Sequence, residues 1–502
     1  MAGLQQHEIP ISMTDSLFPS LIPNIIAGSE TPASDGRHFD IISPHNGTIL
    51  TLCARSSDTD IDQAVAAARS AQISWSAMPA VQRGQILHRM CNLLEARQDE
   101  LARIVALEAG KKFSDALSEV VGAIQCGRFF AGEGQRLFGR TTTSGTADKY
   151  VMTVRQACGV AGLIIAANTP APNFAWKVFP ALICGNSVVL KTAEDTPISS
   201  WFMAKISEEA GLSKGVLNLT HGFGAEAGEA LINHPDVDVI SFTGSTNVGK
   251  RIAAVAGANL KKVSLELGGK NPLVVCDDAD IDLAVKWSCL SAFSNAGQRC
   301  ASGSRIIVFE SVYKEFLKEF IAATQRLKLG VEPDCDLGPV INQRQLNSML
   351  SAVERAKISG AQIVAGGTRA TAAELSAGNY MMPTILTGLS PDAELSCTEL
   401  FGPITVIYPA KDFADALALA NRSPYGLTAC IHTQNFDRAM EFSYKVQAGA
   451  TIVNAGTFGS EPHMPFGGVK ASGNGTREPG TEALDVYSNL KDVYLNIRPG
   501  NL

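Results

Sequence analysis

The chain is 502 residues long, 45% hydrophobic and 18% charged, with a net charge of −7. These proportions are those of an ordinary globular protein, and the length exceeds what one hydrophobic core serves, so two or three domains are expected. The acidic balance argues against a nucleic-acid binder, which would present a basic face. The longest apolar stretch, near residues 159–167, is far short of the roughly 20 residues that span a bilayer.

Residues 1–20 mix polar and turn residues and read as an N-terminal extension. They lack the basic and apolar regions of a signal peptide. A helical layer is expected from Asp60, a candidate N-cap, with Ala64, Ala67, Ala71, Ile86, Met90, Leu93 and Leu94 at helical spacing. A β-prone segment follows at 136–154. From Gly159 short apolar runs alternate with helical segments: strands are expected at 160–167, 187–190, 216–219 and 237–242, helices at 174–184, 197–210 and 225–232. Strand, helix, strand at this spacing specifies βαβ units and a parallel sheet covered on both faces. A second alternating block runs from Asn271 to Asn454, with strands expected at 305–309, 361–364, 404–408 and 451–454 and a helix at 311–326. The two blocks meet near 266–270. A last β-prone segment, 492–497, stands with 136–154 outside both sheets, and such orphan strands predict edges awaiting a partner subunit. The fold class is α/β: a Rossmann-like parallel-sheet domain, a second α/β domain and a small β element for oligomerisation.

Eleven cysteines, at 53, 91, 126, 158, 184, 276, 289, 300, 335, 397 and 430, form no C-x-x-C pair. An odd count without such spacing is neither a disulfide framework nor a zinc site, and a cytoplasmic location is the default expectation. Cys300 stands apart, because in Asn295-Ala296-Gly297-Gln298-Arg299-Cys300-Ala301 it follows a Gly-Gln turn signal and a fixed cation. Glu266 lies 300 − 266 = 34 residues upstream, within Leu265-Glu266-Leu267-Gly268-Gly269-Lys270. A thiolate plus a carboxylate that activates water is the minimum equipment for forming and then hydrolysing a thioester.

Three further segments bear on a cofactor and an oxyanion. Phe242 to Gly249 closes a buried strand and opens a helix, with Gly244, Ser245 and Gly249 small enough for backbone amides to approach a phosphate. Its G-x-x-x-x-G spacing, taken alone, also fits any strand-to-helix turn. The strand at 187–190 runs into Lys191-Thr192-Ala193-Glu194, a Lys and a carboxylate at a strand's carboxyl edge, placed either for ribose hydroxyls or as a surface pair. Asn168 closes the first strand of this block, ahead of Trp176-Lys177.

These motifs resemble the aldehyde dehydrogenase superfamily, with Pro465-Phe466-Gly467-Gly468-Val469-Lys470 as a further match, and the likeness spans roughly Asp40 to Val493. The resemblance implies a hydrolytic, NAD-dependent oxidation of a small-molecule aldehyde, with Cys300 as nucleophile, Glu266 as water-activating base and Asn168 as oxyanion donor. It implies NAD held by Lys191, Glu194, Gly244, Ser245, Gly249, Glu399 and Phe401. Glu194 favours NAD over NADP, since a carboxylate there repels a 2′-phosphate. The implied division is an NAD-binding domain of 21–135 and 158–265, a catalytic domain of 266–475, and oligomerisation segments at 136–157 and 476–502, in dimers or tetramers. Substrate-tunnel positions are Thr169, Phe174, Trp176, Arg299, Ala301, Phe458 and Phe466. The usual P-W-N-[FY]-P segment departs here at Ala166, Ala167 and Thr169, and Thr192 stands where the family has Pro. Arg299 suggests a carboxylate or phosphate on the substrate, hence a polar or acidic semialdehyde, or else it enters a structural ion pair. Two other readings stay open: a CoA-acylating semialdehyde dehydrogenase, against which Glu266 speaks, and a non-catalytic scaffold of the same fold.

Overall fold

The computed structural model describes residues 17–497. Residues 1–16 of the expected extension, and 498–502 at the other end, lie outside the described residues.

Two seven-stranded sheets organise the chain. The first runs, in spatial order, Lys262–Glu266, Val239–Thr243, Val160–Ile164, Ser187–Lys191, Leu217–Thr220, Asn24–Ile26 and Ser29–Thr31. Its first five strands are parallel and the N-terminal pair is antiparallel. Runs such as Val188-Val189-Leu190 are buried on both faces, as parallel strands under helices must be. The second sheet runs Gln362–Ala365, Thr384–Thr387, Ile404–Ala410, Arg305–Phe309, Pro272–Val275, Thr428–His432 and Ala450–Val453. Only its first strand is antiparallel. The chain passes from the first sheet to the second across Glu266–Asn271.

The helical layer differs from expectation at its start. The first helix is Asp58–Ala77 with Ser57 at the cap, and Asp60 lies in the first turn, where its carboxylate takes the Ser57 backbone N–H at 2.7 Å. Asp60 therefore caps from inside the helix, as the acidic half of a capping box does. Pro79 then ends the run, and separate helices follow at Ala80–Ala96, Gln98–Ala109 and Phe113–Glu133. Residues 225–232 form a wide turn at 224–228 and a short helix, Glu229–Asn233, instead of one helix.

The orphan β segments find partners within the chain. Lys149–Ala157 pairs antiparallel with Ser488–Asn496 over nine residues and with Thr141–Thr143 on its other side. This third sheet leaves Tyr150, Leu490, Tyr494 and Leu495 exposed.

Candidate active site

The first sheet brings its expected residues to one edge. Glu266, Thr243-Gly244, Asn168 and Lys191 sit at or just past the carboxyl ends of four adjacent strands. That edge is where parallel α/β sheets bind ligands, because the loops leaving the strands splay apart there. The second sheet meets it with its amino edge: Gly268–Lys270, Cys300 and Glu399–Phe401 lead into three neighbouring strands.

The Cys300 turn is held in an unusual backbone conformation. Asn295, Ala296 and Gly297 have φ of 55°, 52° and 66°, a left-handed run costly for the two non-glycine residues. Gly297 is required twice over, since a Cβ there would also lie 2.1 Å from the Gly402 carbonyl. Gln298 anchors the turn by donating to the Asn295 and Pro339 carbonyls and accepting the Ile341 N–H. Asn271 donates its amide to the Cys300 carbonyl at 2.7 Å and the Ser302 carbonyl at 2.9 Å. Gly269 packs so tightly beneath that a Cβ would come within 2.2 Å of the Cys300 carbonyl oxygen. The Cys300 N–H has no acceptor among the described residues. Asn168 is tied to this turn through Nδ2, which donates to the Gln298 carbonyl at 2.9 Å, while Asn295 Nδ2 reaches the Asn168 carbonyl at 3.4 Å.

Electrostatics favour the protonated forms of both Cys300 and Glu266. Burial pushes the half-buried Cys300 thiol up to about 12, reinforced by Glu399 and Glu266, and the Ala301 amide and Arg299 offset only part of this. Arg299 does act in the expected direction, but desolvation outweighs it. Glu266 is 4% exposed with neither carboxyl oxygen hydrogen-bonded, and burial followed by Glu478 raises it well above the carboxylate range. Glu478 is itself fixed in a fully buried pair with Lys177 at 2.7 Å, with the Ser241 hydroxyl bridging the two. Gly467 leaves room for the Glu266 carboxyl, whose oxygen would stand 2.8 Å from a Cβ at that position.

The cofactor candidates form a second cluster. Lys191 is buried and pairs with Glu194 at 3.2 Å. Burial acts to raise Glu194, but Lys191 and neighbouring groups lower it on balance, so it is a carboxylate. Thr192 bonds His221 at 2.8 Å, and His221 in turn reaches the Pro23 carbonyl, which ties the turn after Lys191 to the N-terminal strands. Ser245 caps the 13-residue helix Thr246–Ala258, and Gly249 lies where a Cβ would strike Leu267 at 2.4 Å. Glu399 accepts the Gly269 N–H at 3.0 Å, and burial pushes its carboxyl up to about 7. Phe401 occupies a left-handed conformation, φ 56°. Free amides at a helix start, a paired Lys–Glu at a strand end and a second carboxyl opposite suit a dinucleotide's phosphates and riboses.

Thr169, Trp176 and Arg299 line one cavity of about 330 Å³, together with Lys111, Asp115, Glu119 and Glu461. Phe466 packs on Trp176 with ring centroids 5.4 Å apart, and Phe458 lies 4.8 Å under the Arg299 guanidinium. Ala301 is not on this wall; it is buried, with its carbonyl taking the Thr457 hydroxyl. Phe174 departs from expectation, being fully buried in the core of the first sheet because it points to the inner face of the helix Pro170–Ile183. Arg299 makes no ion pair among the described residues, and its Nε is buried without a partner. Lys111, Glu119, Asn173 and Asn271 were not legible beforehand. Asn271 alone had a local signal, since it directly follows the Gly268-Gly269-Lys270 turn.

Comparisons with known proteins bear directly on this geometry. The aldehyde dehydrogenase family pattern matches residues 31–493. An aldehyde dehydrogenase of Emericella nidulans is 39% identical over 467 residues, covering 92% of this chain and 93% of that one. A mitochondrial benzaldehyde dehydrogenase of Antirrhinum majus is 39% identical over 476 residues, covering 93% and 88%. The betaine aldehyde dehydrogenase of Staphylococcus aureus, solved in complex with NAD+, superposes with a TM-score of 0.93 at 32% identity, covering 95% of each chain. With its α/β sheets and its match across residues 31–493, the chain belongs to the aldehyde dehydrogenase family.

Proposed function

We propose that this chain oxidises an aldehyde to the carboxylic acid with NAD, through a thiohemiacetal and then a thioester on Cys300. The observation that carries the reading is the junction of Asn168 with the Cys300 turn. Asn168 spends one N–H on the Gln298 carbonyl and keeps a second, and the Cys300 amide is free beside it. The Cys300 sulfur, once deprotonated, attacks the aldehyde carbon, and the carbonyl π pair moves to oxygen. Asn168 and the Cys300 amide donate to that oxyanion. NAD+, when bound, supplies a hydride acceptor for the thiohemiacetal carbon. Glu266, once ionised, takes a proton from water; the hydroxide adds to the thioester, the Cys300 thiolate leaves, and the acid departs.

Lys191 and Glu194 would hold ribose hydroxyls, Gly244, Ser245 and Gly249 the phosphate side, and Glu399 and Phe401 the nicotinamide end. The ionised Glu194 supports NAD over NADP. NAD+ in the Staphylococcus aureus structure supports the same choice. The relatives' names range from benzaldehyde to betaine aldehyde, so the substrate is read from this chain's own cavity. Its unpaired Arg299 supports a carboxylate-bearing or otherwise anionic aldehyde. Thr169 completes the substrate side, with Trp176, Phe458 and Phe466 as apolar walls, and the buried Ala301 stands behind it.

The test is an NADH-absorbance screen of aliphatic, aromatic, amino and carboxylate-bearing aldehydes without CoA. NADH formation that disappears in Cys300→Ser supports the reading, and an absolute requirement for CoA sinks it. Arg299→Leu should lose acidic aldehydes selectively; an equal loss for all aldehydes removes the anion reading. A homodimer or homotetramer is part of the proposal, supported by the exposed Tyr150, Leu490, Tyr494 and Leu495 of the third sheet, and light scattering of a micromolar monomer would overturn it. No described helix is long and apolar enough to cross a membrane. A cytoplasmic location is tested by cell fractionation.

A further inference from the structure

The oxyanion donor poses a problem of orientation. A carboxamide's two ends are nearly the same size, but one donates and the other accepts. If Asn168 turned its amide over, it would present an oxygen to the oxyanion and repel it. The surrounding groups decide which end faces which way. On one side the partner is the Gln298 backbone carbonyl, which can only accept, so Nδ2 of Asn168 must lie there, at 2.9 Å. On the other side Oδ1 of Asn168 meets Nδ2 of Asn173, a long contact of 3.5 Å. Asn173 is itself oriented by an acceptor-only group, because its Nδ2 donates to the Thr169 backbone carbonyl at 2.9 Å and reaches the Thr169 hydroxyl at 3.1 Å. Asn173 is buried, on the first turn of the helix Pro170–Ile183, so water competes little for these bonds. The backbone between them is pinned from the other side. Lys111 Nζ donates to the Asn168 carbonyl at 2.5 Å, and its ion-pair partner Glu119 accepts the Ala171 N–H at 3.2 Å.

We propose that Asn173 is a positioning residue: through Thr169 it holds the Asn168 amide with its donor end toward the substrate oxygen. This rests on the oxyanion role of Asn168, and it adds a buried residue that is not part of the cavity lining. The consequence is specific to the step in which the oxyanion forms and collapses. Asn173→Leu keeps the side-chain volume and removes the donor, which leaves the Gln298 carbonyl as the one remaining group that orients the Asn168 amide and so weakens its preference for the donor-out orientation.

The test measures the pre-steady-state hydride-transfer rate, read as NADH absorbance, for wild type, Asn168→Ala, Asn173→Leu and the double variant, using the best aldehyde from the screen. Loss of an oxyanion donor costs about 10²–10³ in rate, so Asn168→Ala is expected in that range and Asn173→Leu at about ten-fold or more. In the Asn168→Ala background, Asn173→Leu should add less than about two-fold, because a residue acting only through Asn168 has nothing left to act on. The Kd for NAD+, measured by fluorescence, should stay unchanged in all four proteins. Multiplying losses in the double variant, or wild-type hydride transfer in Asn173→Leu, would overturn the positioning role. Wild-type transfer in Asn168→Ala would instead overturn the oxyanion reading beneath it. Should Asn173→Leu fail to fold by its melting curve, Asn173→Ala carries the same comparison.

Discussion

The two seven-stranded sheets are built alike, yet they meet at the site with opposite edges. The first presents the carboxyl ends of its parallel strands, where Lys191, Asn168, Gly244 and Glu266 lie side by side. The second presents amino ends, with Gly269, Cys300 and Glu399 on segments entering adjacent strands. Lys191 and Glu266 end buried strands, whereas Asn168 lies past the end of its strand at Ile164 and is tied down by Gln298, Asn173 and Lys111. Amino-edge residues sit on turns that have to be shaped, and this is where the left-handed Asn295, Ala296 and Phe401 occur. Backbone strain thus concentrates on the side that carries the proposed nucleophile, where Gln298 and Asn271 anchor the turn. Glu266 closes the last strand of one sheet only a few residues before Pro272 opens the other, so the crossing itself holds the two edges in register.

Variants on the two edges should separate the two halves of the reaction. Cys300→Ser, on the amino edge, is expected to remove turnover by about 10⁴-fold or more, since nothing else can form the thioester. Glu266→Gln, on the carboxyl edge, should lower steady-state turnover by about 10²–10⁴-fold. It should nevertheless release close to one NADH per site in a stopped-flow burst. If that burst vanishes with turnover, Glu266 serves acylation too and the division between edges fails. For Arg299→Leu, charge-assisted bonds of about 1.5–3 kcal/mol predict a roughly ten- to hundred-fold rise in KM for acidic aldehydes.

The protonation states give a prediction with a definite sign. Cys300 is pushed up to about 12 and Glu266 is raised, so each needs a higher pH than its ordinary value to ionise. Alkylation of the free enzyme by iodoacetamide should therefore accelerate continuously from neutral into alkaline pH. A plateau near neutrality would show that Arg299 and the Ala301 amide dominate the thiol. The smallest effect belongs to the cofactor side: Glu194→Gln should shift the NADP-to-NAD ratio of kcat/KM by a few-fold toward NADP, as loss of one partly exposed charge near a phosphate does.

Much of this arrangement is written locally. The Val188-Val189-Leu190 and Ile306-Ile307-Val308 runs specify buried parallel strands by themselves, and their ends place Lys191 and, at one remove, Cys300. Cap positions were less legible: Ser57 and Asp60 are both good caps, and only the path of the chain into the helix selects Ser57. The β segments at 149–157 and 488–496 could not be matched from sequence, because their pairing spans more than three hundred residues. The family resemblance implies Phe174 as a tunnel residue, but the rotation of its helix turns it into the core.

The sequence by itself determined the α/β class, the order of the candidate site residues and the family, since each rests on short-range pattern and spacing. Tertiary structure decided what lies between those residues. The Lys111–Glu119 pair, Asn173 against Asn168, Asn271 under Cys300 and the Lys177–Glu478 pair are contacts between distant segments or across helix turns. Hydrogen bonds and desolvation act through space over a few ångströms, whereas the sequence records only separation along the chain.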